Sequence, residues 1–126
     1  MTIADTDVLI DTMLGREPAA TRVRAGLRDG TLATTSITAF ELRSASRTER
    51  ERHAVEAMLE ALSVLPFDGA ASAQAAASRR DLELGGRTVG MGDYLIVGIC
   101  LSRSATLLTR NGKPFDRIPN LVVIDP

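Results

Sequence analysis

The chain has 126 residues, 44% of them apolar but only 3% aromatic and none Trp, which predicts one domain over residues 1–126 with a core of Ala, Leu, Val and Ile. With 15 basic and 16 acidic side chains the formal net charge is −1, which excludes a global positive field, so any nucleic-acid binding has to be local. A single cysteine excludes an internal disulfide, MTIADTD lacks a signal-like start, and the longest dense apolar run, Tyr94 to Leu101, is too short for a bilayer; together these predict a cytoplasmic protein without a membrane anchor.

In chain order, Thr2 to Ala4 reads as a short strand and Val8 to Leu14 as an apolar helical run stopping near Gly15. Pro18 opens a helix with Ala19, Val23 and Leu27 on one stripe, Arg22, Arg24 and Arg28 facing solvent, and Gly30 as its stop. Leu32 to Ser36 is the second strand. Thr38-Ala-Phe-Glu41 has the spacing of a capping box and predicts the start of the next helix. TERERHAVEAMLEAL follows as a surface helix buried through Ala54, Met58, Leu59 and Leu62, with His53 on its polar side. Ser63 to Phe67 is a third strand, and an Ala-rich helix from Gly69 to Leu84 ends at Gly85-Gly86. After the connector GGRTVGMGD come a buried helix from Asp93 to Ser102, a strand from Thr106 to Thr109, a turn at Asn111-Gly112 and a last strand from Leu121 to Ile124.

Short apolar strands alternating with helices predict an α/β fold, a mostly parallel sheet covered on both faces. Ligands in such folds bind beyond the carboxyl ends of the strands, at a topological switch point. Three acids stand at those joints: Asp5 after the first strand, Glu41 one turn into the helix after the second, and Asp93 at the head of the buried helix. Helix N-termini favour carboxylates by about 0.3–1 kcal/mol, so each acid has a capping explanation as well. Asp7 is the better N-cap before VLID, Glu41 and Asp93 stand open between cap and site, and Asp5 is hardest to explain as a cap. Asp11, spaced i+4 from Asp7, is expected to face solvent or pair with an Arg. If Asp5, Glu41 and Asp93 meet, their repulsion demands a shared proton or a cation. With one His and no cysteine pair, the donors are all oxygen and select Mg²⁺ or Mn²⁺ over zinc.

IADTDVLID, TTSITAFELRSAS, MGDYLIVGICLSRSATLLTRN and FDRIPNLVVIDP, in that order along the whole chain, resemble PIN-domain ribonucleases, and within them the VapC-like toxins of prokaryotic toxin–antitoxin pairs. The resemblance implies a three-layer α/β/α PIN-like domain and metal-dependent hydrolysis of RNA phosphodiesters. By matching position it makes Asp5, Glu41 and Asp93 the acidic site, with Asp5 and Asp93 as direct ligands of Mg²⁺ or Mn²⁺ and Glu41 orienting or deprotonating water. Thr6 and Thr109 would position phosphate or water, Asp7 would cap the helix or stand behind the ligands, and Arg110 would contact phosphate or pair on the surface. Where many relatives carry T-x-D, this chain has Thr109-Arg110-Asn111, so the fourth position offers an amide instead of an acid. The resemblance also implies a homodimer and a VapB-like antitoxin whose tail enters the groove.

Two alternatives use the same residues. In a non-catalytic PIN-like interaction module the acids are caps. A Mg²⁺-dependent phosphoacceptor or phosphatase-type domain would use Asp68 or the DTDVL pattern, but leaves Glu41 unexplained and offers only Lys113 as a lysine. Cys100 is expected to pack in the core and His53 to lie exposed.

Overall fold

The computed structural model describes residues 1–126. Its strands are β1 (Thr2–Ala4), β2 (Leu32–Thr35), β3 (Ser63–Leu65), β4 (Thr106–Leu108) and β5 (Val123–Ile124). The helices are α1 (Thr6–Met13), α2 (Ala19–Asp29), α3 (Ser36–Ala45), α4 (Glu49–Glu60), α5 (Gly69–Leu84) and α6 (Met91–Ser102), with a 3₁₀ turn at Lys113–Phe115. The strands form one fully parallel sheet in the order β3-β2-β1-β4-β5. β1 is therefore central, and the sheet has its switch point between β1 and β4, because the chain leaves β1 toward β2 and returns to build β4 on its other side.

Alternate strand residues face opposite layers, as the two-residue period requires. Ile3, Ala33 and Leu107 pack under α5 and α6 in one apolar cluster; Ala4, Leu32 and Leu108 pack under α1 to α4 in another. This is the expected three-layer α/β/α arrangement. α5 and α6 meet through small residues: a Cβ added to Gly98 would stand 2.4 Å from the carbonyl oxygen of Ala71 and 2.7 Å from the Ala75 methyl.

Several predicted boundaries move, each for a local reason. α1 starts at Thr6 instead of Val8, with Asp5 and not Asp7 as its N-cap, because β1 passes into the helix with no loop. β2 gives Ser36 to α3, whose cap is Thr35, accepting from the Thr38 N–H at 3.0 Å; the capping box at Thr38 does not form. Pro66 has no N–H for a ladder, so β3 stops at Leu65. α4 is buried through Val55 and Leu59 with Leu62 just beyond it, while Ala54 is exposed and Met58 half-buried. On α2, Arg24 and Arg28 are exposed and Arg22 is half-buried. α6 begins at Met91, two residues before Asp93, with Gly90 as its cap. β4 and β5 are each shorter than expected, and the Asn111-Gly112 turn leads into the 3₁₀ turn. Cys100 is fully buried, and its apolar surroundings push the thiol up to about 12; His53 is exposed.

Because the α5–α6 contact leaves no room for a methyl, Gly98→Ala should destabilise the fold by about 1–3 kcal/mol despite its better helix propensity. Urea unfolding measures this, and an unchanged or raised midpoint would contradict the close approach.

Candidate active site

Asp5 belongs to a strand and a helix at once. Its backbone N–H donates to the Leu108 carbonyl at 2.9 Å, extending the β1–β4 ladder, while its own carbonyl accepts from the Leu9 N–H at 3.3 Å as α1 begins. The backbone is fixed on both sides, and two further hydrogen bonds hold the side chain: Oδ1 accepts from the Thr6 N–H at 2.8 Å and Oδ2 from the Thr109 hydroxyl at 2.9 Å. Asp7, one residue into α1 from Thr6, faces the same strand end, with longer contacts to the Thr109 hydroxyl (3.3 Å) and the Arg110 N–H (3.2 Å).

Glu41 reaches the site from α3. The Thr6 hydroxyl donates to its Oε1 at 2.8 Å and shares a 3.0 Å hydrogen bond with the hydroxyl of Thr38, which is fully buried. Glu41 thus answers to Thr6 across the sheet end and not to a capping box on its own helix. On its other side Glu41 lies against the first turn of α6, where a Cβ on Gly92 would stand 3.3 Å from Oε2. Gly92 makes the space that lets α3 and α6 bring Glu41 and Asp93 together.

Asp5, Thr6, Asp7, Ile10, Glu41, Asp93, Asn111, Pro114 and Phe115 line one cleft of about 270 Å³ beyond the strand ends, beside the β1–β4 switch point. Four carboxylates enter it and no basic side chain does. Larger hollows of about 430–450 Å³ lie elsewhere, but one is walled chiefly by apolar side chains and the other mixes two acids with two bases. The acidic cleft is singled out by its chemistry, not its size.

The crowding registers on the acids. Asp5 is 7% exposed, and its carboxyl is pushed up to about 6, first by burial and then by Asp7 and Asp93, against the opposing hydrogen bonds from Thr109 and Thr6. Asp93 is raised too, by burial and by the charges of Glu41 and Asp7, with the Gly90 N–H opposing. No three ligand-type side chains lie close enough to enclose an ion, so the acids form an open wall and not a closed cage. An open wall of hard oxygen donors fits Mg²⁺ or Mn²⁺, which keep several waters and take one or two carboxylates.

The structure therefore brings Asp5, Thr6, Asp7, Glu41, Asp93 and Asn111 to one cleft. Thr109 stands behind it, holding Asp5. Arg110 does not line it: its guanidinium is turned onto Asp11. Asp11 departs from a solvent-facing reading, being only 6% exposed and paired with that Arg. Thr38 and Gly92 also belong to the site, beyond the residues the sequence points to. In the sequence Thr38 has only the signature of a cap and Gly92 that of a connector, and nothing local shows that Glu41 rests between them. Asp68 caps α5, accepting from the Ala71 N–H at 2.9 Å beside the edge strand β3, so it is spent as a phosphoacceptor and sits away from the sheet centre.

A carboxyl with a pKa of about 6 folded and 3.8 unfolded holds its proton more tightly in the fold. Its contribution to stability is full below the unfolded value and lost as the pH rises through the folded one, to a limit of roughly 3 kcal/mol. In metal-free protein, Asp5→Asn should therefore gain melting temperature over the wild type at pH 7.5 relative to pH 4.5. A difference between the two proteins that does not change with pH would contradict a buried, repelled Asp5.

Comparison with known proteins identifies the family. The PIN domain family model matches residues 2–121. The tRNA(fMet)-specific endonuclease VapC of Shigella flexneri is 31% identical over 121 residues, covering 93% of this chain and 91% of the relative. Ribonuclease VapC2 of Rickettsia felis is 30% identical over 76% of this chain and 75% of its own. Among solved structures, DNA-bound VapBC from Salmonella typhimurium superposes with a TM-score of 0.87 at 31% identity, covering 98% of this chain and 96% of that one. No helix is long and apolar enough to cross a membrane. With a buried Asp5 at the switch point, Glu41 and Asp93 converging on it, and these relatives over nearly its whole length, the chain belongs to the PIN-domain family, among its VapC-like members.

Proposed function

We propose that the chain is a Mg²⁺- or Mn²⁺-dependent ribonuclease and the toxin of a toxin–antitoxin pair. One observation supports this most: four carboxylates line a single cleft at the switch point of the sheet, with no basic side chain among them. The VapC relatives that span the chain are named as endonucleases or ribonucleases, and the solved Salmonella relative is a VapBC complex. That kinship supports RNA as substrate and a VapB-like antitoxin as partner, and the reading extends to a homodimer and a cytoplasmic site of action.

Asp5 and Asp93 would hold the divalent ion, with Glu41 beside them. When bound, such an ion neutralises charge on the scissile phosphate and lowers the pKa of the attacking water. The chain's own groups do the rest. Thr109 and the Thr6 N–H keep both oxygens of Asp5 aimed, so little reorganisation is left for the reaction itself. Thr6 fixes Glu41 through Oε1 and leaves the carboxylate to take the proton of the attacking water as general base. Asn111 lines the cleft where many relatives carry an acid, and its side-chain amide supplies a hydrogen-bond donor there without further negative charge.

The test combines cleavage with binding. Incubated with a tRNA and rRNA pool, the wild type should cut RNA with Mg²⁺ or Mn²⁺ and stop with chelator, and Asp93→Asn should lose at least about 100-fold in rate. Mn²⁺ should raise the melting temperature of the wild type and leave Asp5→Asn unshifted. Cleavage that persists undiminished in Asp93→Asn would overturn the assignment. A metal-dependent shift without cleavage would favour the interaction module.

A further inference from the structure

We propose that Asp11 and Arg110 form a clamp that sets the position of Thr109 and Asn111, making them positioning residues for the hydrolysis proposed above, on which this inference rests. Neither side chain lines the acidic cleft. Asp11 lies one turn beyond Asp7 on α1 and is 6% exposed, and a carboxylate so buried needs a partner. It has one: Nη1 of Arg110 donates to both its oxygens, at 3.0 and 2.9 Å, while Arg16 stands farther off at 3.7 Å.

The same helix holds Arg110 a second time, because its backbone N–H donates to Asp7. One residue just past β4 is thus fastened by its main chain to Asp7 and by its side chain to Asp11. No other hydrogen bond fastens residues 110 and 111, and the chain is next held only at Gly112, whose carbonyl accepts from the N–H of buried Phe115 at 2.9 Å. The sheet ladder ends where the Thr109 N–H donates to the Ile124 carbonyl, and every hydrogen bond made by residues 110 and 111 runs to Asp7, Asp11 or Thr109. On one side of the clamp is the hydroxyl that aims Asp5; on the other is Asn111, which lines the cleft. A neutral amide has no charge to draw it toward a cation, so its placement has to come from the scaffold. The clamp also keeps the guanidinium turned away from four carboxylates that would otherwise attract it.

The experiment compares Asp11→Asn, Arg110→Met, their double variant and Arg110→Lys. Two readouts are used: steady-state RNA cleavage with Mn²⁺, and amide hydrogen exchange of residues 109–112 in metal-free protein. Each of the first two variants should lower kcat by about 10-fold with KM within about twofold, and the double should be no worse than either, as for two halves of one device. Exchange at Arg110 and Asn111 should speed up in all three. Arg110→Lys can still place one nitrogen between the Asp11 oxygens and should restore slow exchange and most of kcat. A raised KM in Arg110→Met with Asp11→Asn unaffected would overturn the clamp in favour of a phosphate contact. A lower melting temperature with kcat and exchange unchanged would reduce the pair to structural support. Absence of any RNA cleavage by the wild type would sink the hydrolytic reading alone, since the exchange data still judge the clamp.

Discussion

Everything at the site depends on Asp5 having no loop of its own. Its N–H completes the central ladder, and its carbonyl starts the first helix. Held there by the Thr6 N–H and the Thr109 hydroxyl, its carboxylate stays beside the neighbouring acids even though burial and repulsion push it up to about 6. The sheet carries that cost, and the two apolar layers on its faces make the sheet stable enough to do so.

Hydroxyls organise the charges. Thr109 holds Asp5, Thr6 holds Glu41, and Thr38 supports Thr6 from beneath. No buried side-chain nitrogen or oxygen lacks a partner, so the site is strained by like charge and not by missing hydrogen bonds. That division is what a cation site needs: fixed geometry together with unspent negative charge.

Much of this was legible in the sequence. The five strands and six helices were visible because apolar periodicity and glycine stops are local signals, and the three acids stood out because each follows a strand or opens a helix. The roles of Asp5 and Asp7 were harder to read. Both can cap, and the choice depends on whether β1 runs straight into α1, which is decided by the Leu108 carbonyl more than a hundred residues away. Asp11 takes the second of its two expected places, paired with an Arg, but which Arg could not be read locally. Its spacing from Asp7 looks like a small repulsion on one helix, whereas in three dimensions both acids face one arginine that arrives from β4. Gly92 carried no signal either, because the need for an absent side chain is visible only once Glu41 is beside it.

The α5–α6 contact has a further consequence for the cleft. Gly98 lets α6 press directly onto the α5 backbone, so the helix bearing Asp93 has no slack in which to shift. The opposite wall, at Asn111, is a short irregular segment tied back by side chains. The two walls of the cleft are therefore held in different ways. One is set like a fixed anvil by helix packing; the other is held by hydrogen bonds to α1 and by the buried Phe115 that follows it.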